Sequence, residues 1–293
     1  MLKIPITNII YKDHAIDILR LDETNIPVAG NKFYKLKYNV EEARKGGFTT
    51  ILTFGGAFSN HIYAVAKSAK QNNINTIGVI RGEEDPDNPM LQIAKELGME
   101  LVFISREQYK NKANSNFIAE LKNKFGNFYL LPEGGTNELA IKGCAEILKG
   151  LENKYDHIFS AIGTGGTIAG LLSTPGLKSK VTGISVLKGD DNLTEKIKTL
   201  ISGQEDEISN NWSIDFNYHL GGYARFNQNL INFIRQFKID YQIPLDPVYT
   251  GKVLYAVFDL IEKGKLISTE KILVIHTGGL HGIKGWNYRF GKL

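Results

Sequence analysis

The sequence predicts an α/β fold in two domains, each a twisted, mainly parallel sheet flanked by helices. Short apolar or β-branched runs alternate with helically spaced segments through most of the chain, the rhythm of a parallel sheet covered by helices. At 293 residues the chain is longer than one small core uses, so two sheets suit it better than one. No repeat or low-complexity tract interrupts the rhythm.

Taken in order, residues 49–54, 76–80, 100–104 and 128–131 have strand length and composition. Residues 59–71, 88–97 and 108–124 carry helical spacing between them. A helix over 137–151 follows, then strand 157–162, helix 167–172, strand 181–186, helix 193–201 and strand 213–219. Helices 227–237 and 252–262 precede a last strand, 272–276. The polar stretch 203–211, rich in acids, Ser and Asn, reads as a surface loop.

Composition narrows the function classes. Hydrophobic content of 42% and charged content of 23% are ordinary for a globular chain. The net charge of +4 is scattered among acids, so no basic stripe for nucleic acid is expected. No apolar run approaches the ~18 residues of a membrane helix, and Met1-Leu2-Lys3-Ile4-Pro5 lacks a signal-peptide core, so a cytoplasmic location is expected. Cys144 is the single cysteine and reads as a buried structural thiol. The histidines show no metal-ligand spacing, and none is expected to hold a metal.

Three segments carry chemistry. Gly30-Asn31-Lys32 places a lysine at a Gly-rich turn opening a helix, where it can attack a bound aldehyde. Such a lysine must be neutral, which asks for burial or nearby positive charge, and Lys35 and Lys37 are candidates to supply that field. The alternative is a Lys-rich first turn facing water. Gly163, Thr164, Gly165, Gly166 and Thr167 follow an apolar strand and open a helix, a cradle for phosphate. A nucleotide P-loop would need the Gly-Lys-Ser/Thr that is missing and a dinucleotide fingerprint a third glycine where Ile168 stands, so a nucleotide- or nicotinamide-dependent enzyme is the weaker alternative for this loop. Ser59-Asn60-His61, after Gly55-Gly56, opens another helix and offers amides to a carboxylate, although Ser59 as a plain N-cap is the simpler reading. Together the three segments point to pyridoxal phosphate held as a Schiff base.

With Asp246-Pro247-Val248-Tyr249-Thr250-Gly251-Lys252 and His276-Thr277-Gly278-Gly279 downstream, the chain resembles the aminocyclopropane-carboxylate deaminase / D-cysteine desulfhydrase family of fold-type-II pyridoxal-phosphate enzymes. The resemblance runs from about Gly30 to Gly279. It implies a fold like the tryptophan synthase β chain, with a large domain of residues 1–35 and 132–293, a small domain of 36–131, and a homodimer. It makes Lys32 the Schiff-base residue, with Lys35 as fallback, and sets Asn31 beside the cofactor. Ser59 then meets the substrate, and Asn60 the cofactor's phenolate oxygen. Tyr249 lies by the substrate, Thr250 against the pyridine nitrogen and Thr277 at the cofactor, while Tyr223 corresponds either to a second active-site tyrosine or to a rim residue.

Two positions lean to one branch of that family. Ring-opening deaminases carry glutamate where this chain has Thr250 and leucine where it has Thr277. A neutral hydroxyl supports a protonated pyridine weakly. The resemblance therefore favours α,β-elimination of D-cysteine, with Lys32, Tyr249 or Tyr223 as base, over aminocyclopropane-carboxylate deamination. A cofactor-binding protein without turnover is the rival of another class. Two departures stand out. Tyr34 replaces an arginine and is expected to change surface packing, while His61 replaces a common glutamine and is expected to bring a titratable group.

Overall fold

The computed structural model describes residues 3–24, 26–202 and 211–293. It opens with an antiparallel hairpin, β1 (Ile6–Tyr11) and β2 (His14–Arg20), that the periodicity does not announce. Its two-residue turn, Lys12-Asp13, lacks the Asn-Gly signal, and Lys12 itself adopts φ 50°. Helix α1 (Asn31–Lys45) follows. The chain then alternates through β3 (Thr50–Gly56), α2 (Asn60–Gln71), β4 (Asn75–Arg81), α3 (Pro89–Glu96), β5 (Met99–Ile104), α4 (Arg106–Lys110), α5 (Ser115–Phe125) and β6 (Tyr129–Leu131). The remainder runs α6 (Glu138–Cys144), β7 (His157–Ile162), α7 (Gly166–Leu172), β8 (Lys180–Ser185), α8 (Leu193–Ile201) and β9 (Trp212–Asp215). It ends α9 (Gln228–Tyr241), α10 (Thr250–Glu262), β10 (Ile272–His276) and α11 (Gly282–Phe290).

Among the described residues the strands form two sheets. One has the order β1-β2-β10-β7-β8-β9, parallel except for β1, and the other is β5-β4-β3-β6, all parallel. The smaller sheet is drawn wholly from residues 50–131. Helix α1 serves both layers: Tyr34 joins the core under the larger sheet, and Leu36, Val40 and Ala43 join the core of the smaller. Phe159, Phe237, Val253 and Val257 fill the larger sheet's other face. Truncating a buried phenylalanine such as Phe159 to alanine costs about 3–5 kcal/mol by loss of transfer energy and a residual cavity.

Three expected elements differ. The helix over 108–124 is two helices, because Ser105 and Gln108 form a capping box for α4 and Asn114 caps α5 with a bond from Asn116 N. The helix over 137–151 stops at Cys144 and tightens into a 3₁₀ turn, Ala145–Leu148. The strand over 213–219 ends at Asp215, whose carboxylate accepts from the Asn217 backbone and side chain. Helix α11 was not anticipated, since glycines 282 and 285 mask its apolar face, of which Trp286 packs on Phe226. The polar stretch 203–211 lies outside the described residues except for Asn211. Among the described residues no helix is long and apolar enough to cross a membrane, and no group of three His, Cys, Asp or Glu is placed to hold a metal.

Parallel strands send their carboxyl ends to one edge, where ligands of α/β proteins gather. Here β3 delivers Ser59, β7 delivers Gly163 and β10 delivers Thr277 to that edge.

Candidate active site

The lysine turn is built on Gly30. Its φ is 90°, and a Cβ there would stand 2.5 Å from the Thr277 carbonyl, so only glycine lets the turn lie against the exit of β10. Asn31 N donates to that same carbonyl at 3.0 Å, and Asn31 Nδ2 donates to Thr167 Oγ1 at 2.8 Å. Asn31 thus ties the start of α1 to both the Thr277 loop and the glycine loop. Lys32 Nζ has one long bond, to Asn31 Oδ1 at 3.3 Å. Burial lowers its pKa, against upward pulls from Cys144 and Asp246. A nearly unpartnered amine whose burial disfavours the charged form suits a carbonyl-attacking lysine.

Lys35, three residues on and therefore on the same helical face, has the opposite character. It is 2% exposed and donates to Gly134 O at 2.7 Å, Thr136 Oγ1 at 2.9 Å and Thr164 Oγ1 at 3.4 Å. Burial and the neighbouring Lys32 bring its pKa down to about 7. From the sequence, Lys35 is a source of positive field for Lys32 and a fallback for it; its place in the glycine loop's cradle shows only in the fold. Lys37 supplies no field to the site, because it is exposed and pairs with Glu146 at 2.7 Å. Tyr34 is likewise no surface residue: it is 4% exposed, and its carbonyl lies 1.9 Å from where a Cβ on Gly143 would stand. Cys144 is fully buried, and burial pushes its thiol up to about 11, so it is inert.

The glycine loop is shaped around the Lys35 ammonium. Gly165 takes φ 87°, and a Cβ on Gly166 would sit 2.8 Å from Thr136 Oγ1 and 2.9 Å from Lys35 Nζ. Helix α7 has no side-chain N-cap. Thr164 is exposed and bonds Thr136 at 2.6 Å, while Thr167 is buried. Gly163 lies against Tyr249, whose Cε1 would be 3.3 Å from an added Cβ. Uncapped amides, glycines that keep the backbone bare and a buried ammonium make an anion site.

Helix α2 is different. Ser59 Oγ accepts from His61 N at 3.2 Å and Ile62 N at 3.4 Å. Those amides are therefore satisfied internally, and what faces outward is the Ser59 hydroxyl hydrogen and the Asn60 amide. Asn60 Oδ1 is buried without a partner, and Asn60 Nδ2 would lie 3.1 Å from a Cβ on Gly279 and 3.0 Å from one on Gly282. His61 points its ring into the small sheet. Thr53 Oγ1 spends its hydrogen on Leu131 O at 2.9 Å, so His61 Nε2 donates to Thr53 at 2.8 Å. Burial, then Lys32 and Lys35, hold the imidazole well below its ordinary pKa. The expected titratable group is a neutral ring.

Opposite stand the tyrosines. Tyr249 and Tyr223 meet edge-on with centroids 6.1 Å apart and ring planes 69° apart. Burial, reinforced by Tyr223, pushes Tyr249 well above its ordinary value, which favours the protonated phenol in the unliganded protein. Tyr223 is 44% exposed. Asp246, 1% exposed, accepts from Val248 N, Tyr249 N, Thr250 N and Thr250 Oγ1 at 2.7–2.9 Å. Asp246 N in turn donates to Thr250 Oγ1 at 2.9 Å. The Thr250 hydroxyl hydrogen is therefore committed to a carboxylate, and only a lone pair remains for anything else. Sequence reasoning missed Asp246, although an aspartate four residues before a threonine at a helix start is a recognisable local trap.

A lightly held amine, an anion cradle with its own ammonium and a buried, unpartnered Asn60 oxygen fit a phosphorylated aldehyde. The comparisons agree. The model of the pyridoxal-phosphate-dependent enzyme family matches residues 6–278. A Pyrococcus horikoshii protein, provisionally named a 1-aminocyclopropane-1-carboxylate deaminase, is 33% identical over 277 residues, covering 90% of this chain and 84% of its own. The Arabidopsis thaliana bifunctional D-cysteine desulfhydrase/1-aminocyclopropane-1-carboxylate deaminase is 32% identical over 290 residues, covering 91% and 72%. A crystal structure titled as an ACC deaminase homologue superposes with a TM-score of 0.85 at 29% identity, covering 98% of this chain and 92% of that one. The chain belongs to the pyridoxal-phosphate-dependent enzymes, in the group that holds aminocyclopropane-carboxylate deaminases and D-cysteine desulfhydrases.

Proposed function

We propose that the chain catalyses the α,β-elimination of D-cysteine, which with one water gives pyruvate, hydrogen sulfide and ammonia. The observation that carries this reading is Thr250, a neutral hydroxyl where the ring-opening enzymes it resembles carry glutamate. Thr277 supports the same branch.

Pyridoxal phosphate, when bound, supplies the electron sink that lets a proton leave the substrate's α-carbon. On this reading Lys32 would hold the cofactor's aldehyde and, once released, its amine would take the α-proton, with burial disfavouring its charged form. Lys35 and residues 163–167 would hold the phosphate, with Asn31 bracing Thr167 and Thr277 also contributing to the cofactor site. Asn60, whose Oδ1 is buried without a partner, would meet the cofactor's phenolate oxygen. The Ser59 hydroxyl, its lone pairs engaged by its own helix, donates to the substrate carboxylate. Tyr249, protonated, donates a hydrogen to the leaving thiolate, which departs with the carbon–sulfur electron pair. The reading also takes residues 36–131 as a small domain and the chain as a cytoplasmic homodimer, the latter checked by sedimentation.

One observation favours the second reading, deamination of 1-aminocyclopropane-1-carboxylate to 2-oxobutanoate. Because Asp246 takes the Thr250 hydrogen, Thr250 can only accept from a pyridine nitrogen, and an acceptor backed by a carboxylate favours the protonated nitrogen more than a bare hydroxyl does. The test is 2-oxoacid and sulfide release from the cofactor-loaded protein with D-cysteine, L-cysteine and 1-aminocyclopropane-1-carboxylate offered separately. Pyruvate and sulfide from D-cysteine alone support elimination. 2-Oxobutanoate without sulfide production from cysteine transfers the assignment to the deaminase.

A further inference from the structure

Lys252 is a fully buried ammonium that the reaction above does not use. Its exposure is 0%, and it makes no ion pair among the described residues. Instead Nζ donates to two backbone carbonyls, His219 O at 2.6 Å and Gly222 O at 2.8 Å. These carbonyls bracket an unusual loop. Leu220, Gly221, Gly222 and Ala224 all have positive φ, of 49°, 95°, 111° and 53°. For Leu220 and Ala224 that conformation is strained and persists only where surroundings impose it. The residue presented at the centre of the loop is Tyr223, in contact with Tyr249.

The same two carbonyls also close the loop's own turns, accepting from Gly222 N at 3.0 Å and Arg225 N at 3.1 Å. An ammonium shared between them binds the ends of both turns to α10. Lys252 lies three residues after Tyr249 on that helix. One helix start therefore fixes both tyrosines, Tyr249 by chain connection and the Asp246 bonds, and Tyr223 through the lysine. A side chain without donors would bury more cheaply here, and it would leave two turn carbonyls less well satisfied.

We propose that Lys252 is a positioning residue, whose ammonium clamps the loop 219–224 and so sets Tyr223 against Tyr249 at the substrate end of the site. This rests on the reading that the tyrosine pair serves the reaction. The charged groups facing the clamp are Asp246 from the preceding loop and, on the outer side of Gly222, Lys188, whose Cβ lies 3.2 Å from a Cβ added there.

The experiment combines Lys252→Met, Tyr223→Phe and the double variant in the cofactor-loaded protein. Amide hydrogen exchange over 219–224 and kcat and KM for D-cysteine are read on each. Lys252→Met is expected to speed exchange in this loop at least tenfold, with α10 unchanged, and to lower kcat/KM roughly ten- to a hundredfold. In the Tyr223→Phe background the same change is expected to cost less than about threefold, because it acts through that tyrosine. Unchanged loop exchange, or losses that multiply in the double variant, would overturn the clamp. Should Lys252→Met fail to fold, Lys252→Gln keeps a donor for one carbonyl and is expected to show the same pattern at smaller size; wild-type exchange in Lys252→Gln again sinks the proposal. The exchange arm needs no turnover, so a protein inactive on cysteine with a loosened loop would refute the substrate and keep the clamp.

Discussion

Two helices begin at the same edge of the molecule, each after a strand and a glycine, and their starts are finished in opposite ways. Helix α2 is closed by its own sequence: Ser59 Oγ accepts two of its first amides. Helix α7 starts on Gly165 with no side chain to cap it, and Lys35 is brought in from α1 beside the loop. The first start has little positive character left for an anion beyond a hydroxyl and one amide. The second keeps its amides and adds a buried cation. Glycine before a helix is therefore an incomplete signal, and what distinguishes a carboxylate seat from a phosphate cradle is whether a serine or a glycine occupies the cap.

The two starts matter only if Lys32 lies between them as the reacting group, so its removal has the largest expected effect. Lys32→Ala should lower turnover by at least about a thousandfold, the scale of a lost general base. After borohydride reduction and denaturation, the wild-type mass should include the cofactor and the variant mass should not. A retained adduct would move the attachment to Lys35 and erase the distinction between the two lysines.

Lys35→Met comes next and tests the uncapped start alone. Losing charge-assisted bonds of about 2 kcal/mol weakens cofactor binding roughly thirtyfold, measured by equilibrium dialysis, while KM for the amino acid should hold. Lys35 also gives the cradle a pH dependence. Its pKa of about 7 in the unliganded protein rises when an anion binds, so anion affinity is full below about 7 and falls as pH climbs. Sulfate, whose charge is constant over this range, is the probe, and Lys35→Met should flatten its profile. The stability of the unliganded protein moves the other way. Between pH 7 and the ordinary lysine value of 10.5 the unfolded chain binds a proton that the folded chain lacks, so unfolding should become harder across that window.

Much of this arrangement was legible in the residues because it is local. The strand runs, the Gly30-Asn31-Lys32 turn and the 163–167 loop are contiguous, and strand-end geometry gathers them. What escaped was set by contacts distant in sequence or by hydrogen-bond inventory. Lys35 reads as a nearby charge or a fallback for Lys32 until Gly134, Thr136 and Thr164 fold around it. Thr250 reads as a weak partner for a pyridine until Asp246 is seen to hold its hydrogen. His61 reads as titratable until β3 and Leu131 fix its tautomer. The hairpin β1–β2 was missed because nothing in Lys12-Asp13 announces a turn.

Ser59→Ala tests the capped start. It should destabilise the protein by about 1 kcal/mol, the usual cost of losing a serine cap, and Ser59→Gly by only a few tenths, both read from the urea midpoint. If Ser59 also seats the carboxylate, KM rises in both variants although stability does not fall equally. Unequal loss of stability with KM unchanged in both variants would make Ser59 a cap and nothing more.

The smallest effect is expected at His61→Gln. The ring's one hydrogen bond is donated by Nε2 to Thr53, and a glutamine amide offers an N–H to the same acceptor. Protonating Nδ1 would place a charge in a site that excludes water and already faces Lys32 and Lys35, so the ring does not titrate near neutrality. Activity should change less than about threefold, and the kcat/KM profile between pH 5.5 and 7.5 should keep its shape, since a group silent in the wild type has no limb to lose. A shift of the acid limb in His61→Gln would mean that the ring opens to solvent during turnover, and that the capped helix start is more mobile than its buried neighbours allow.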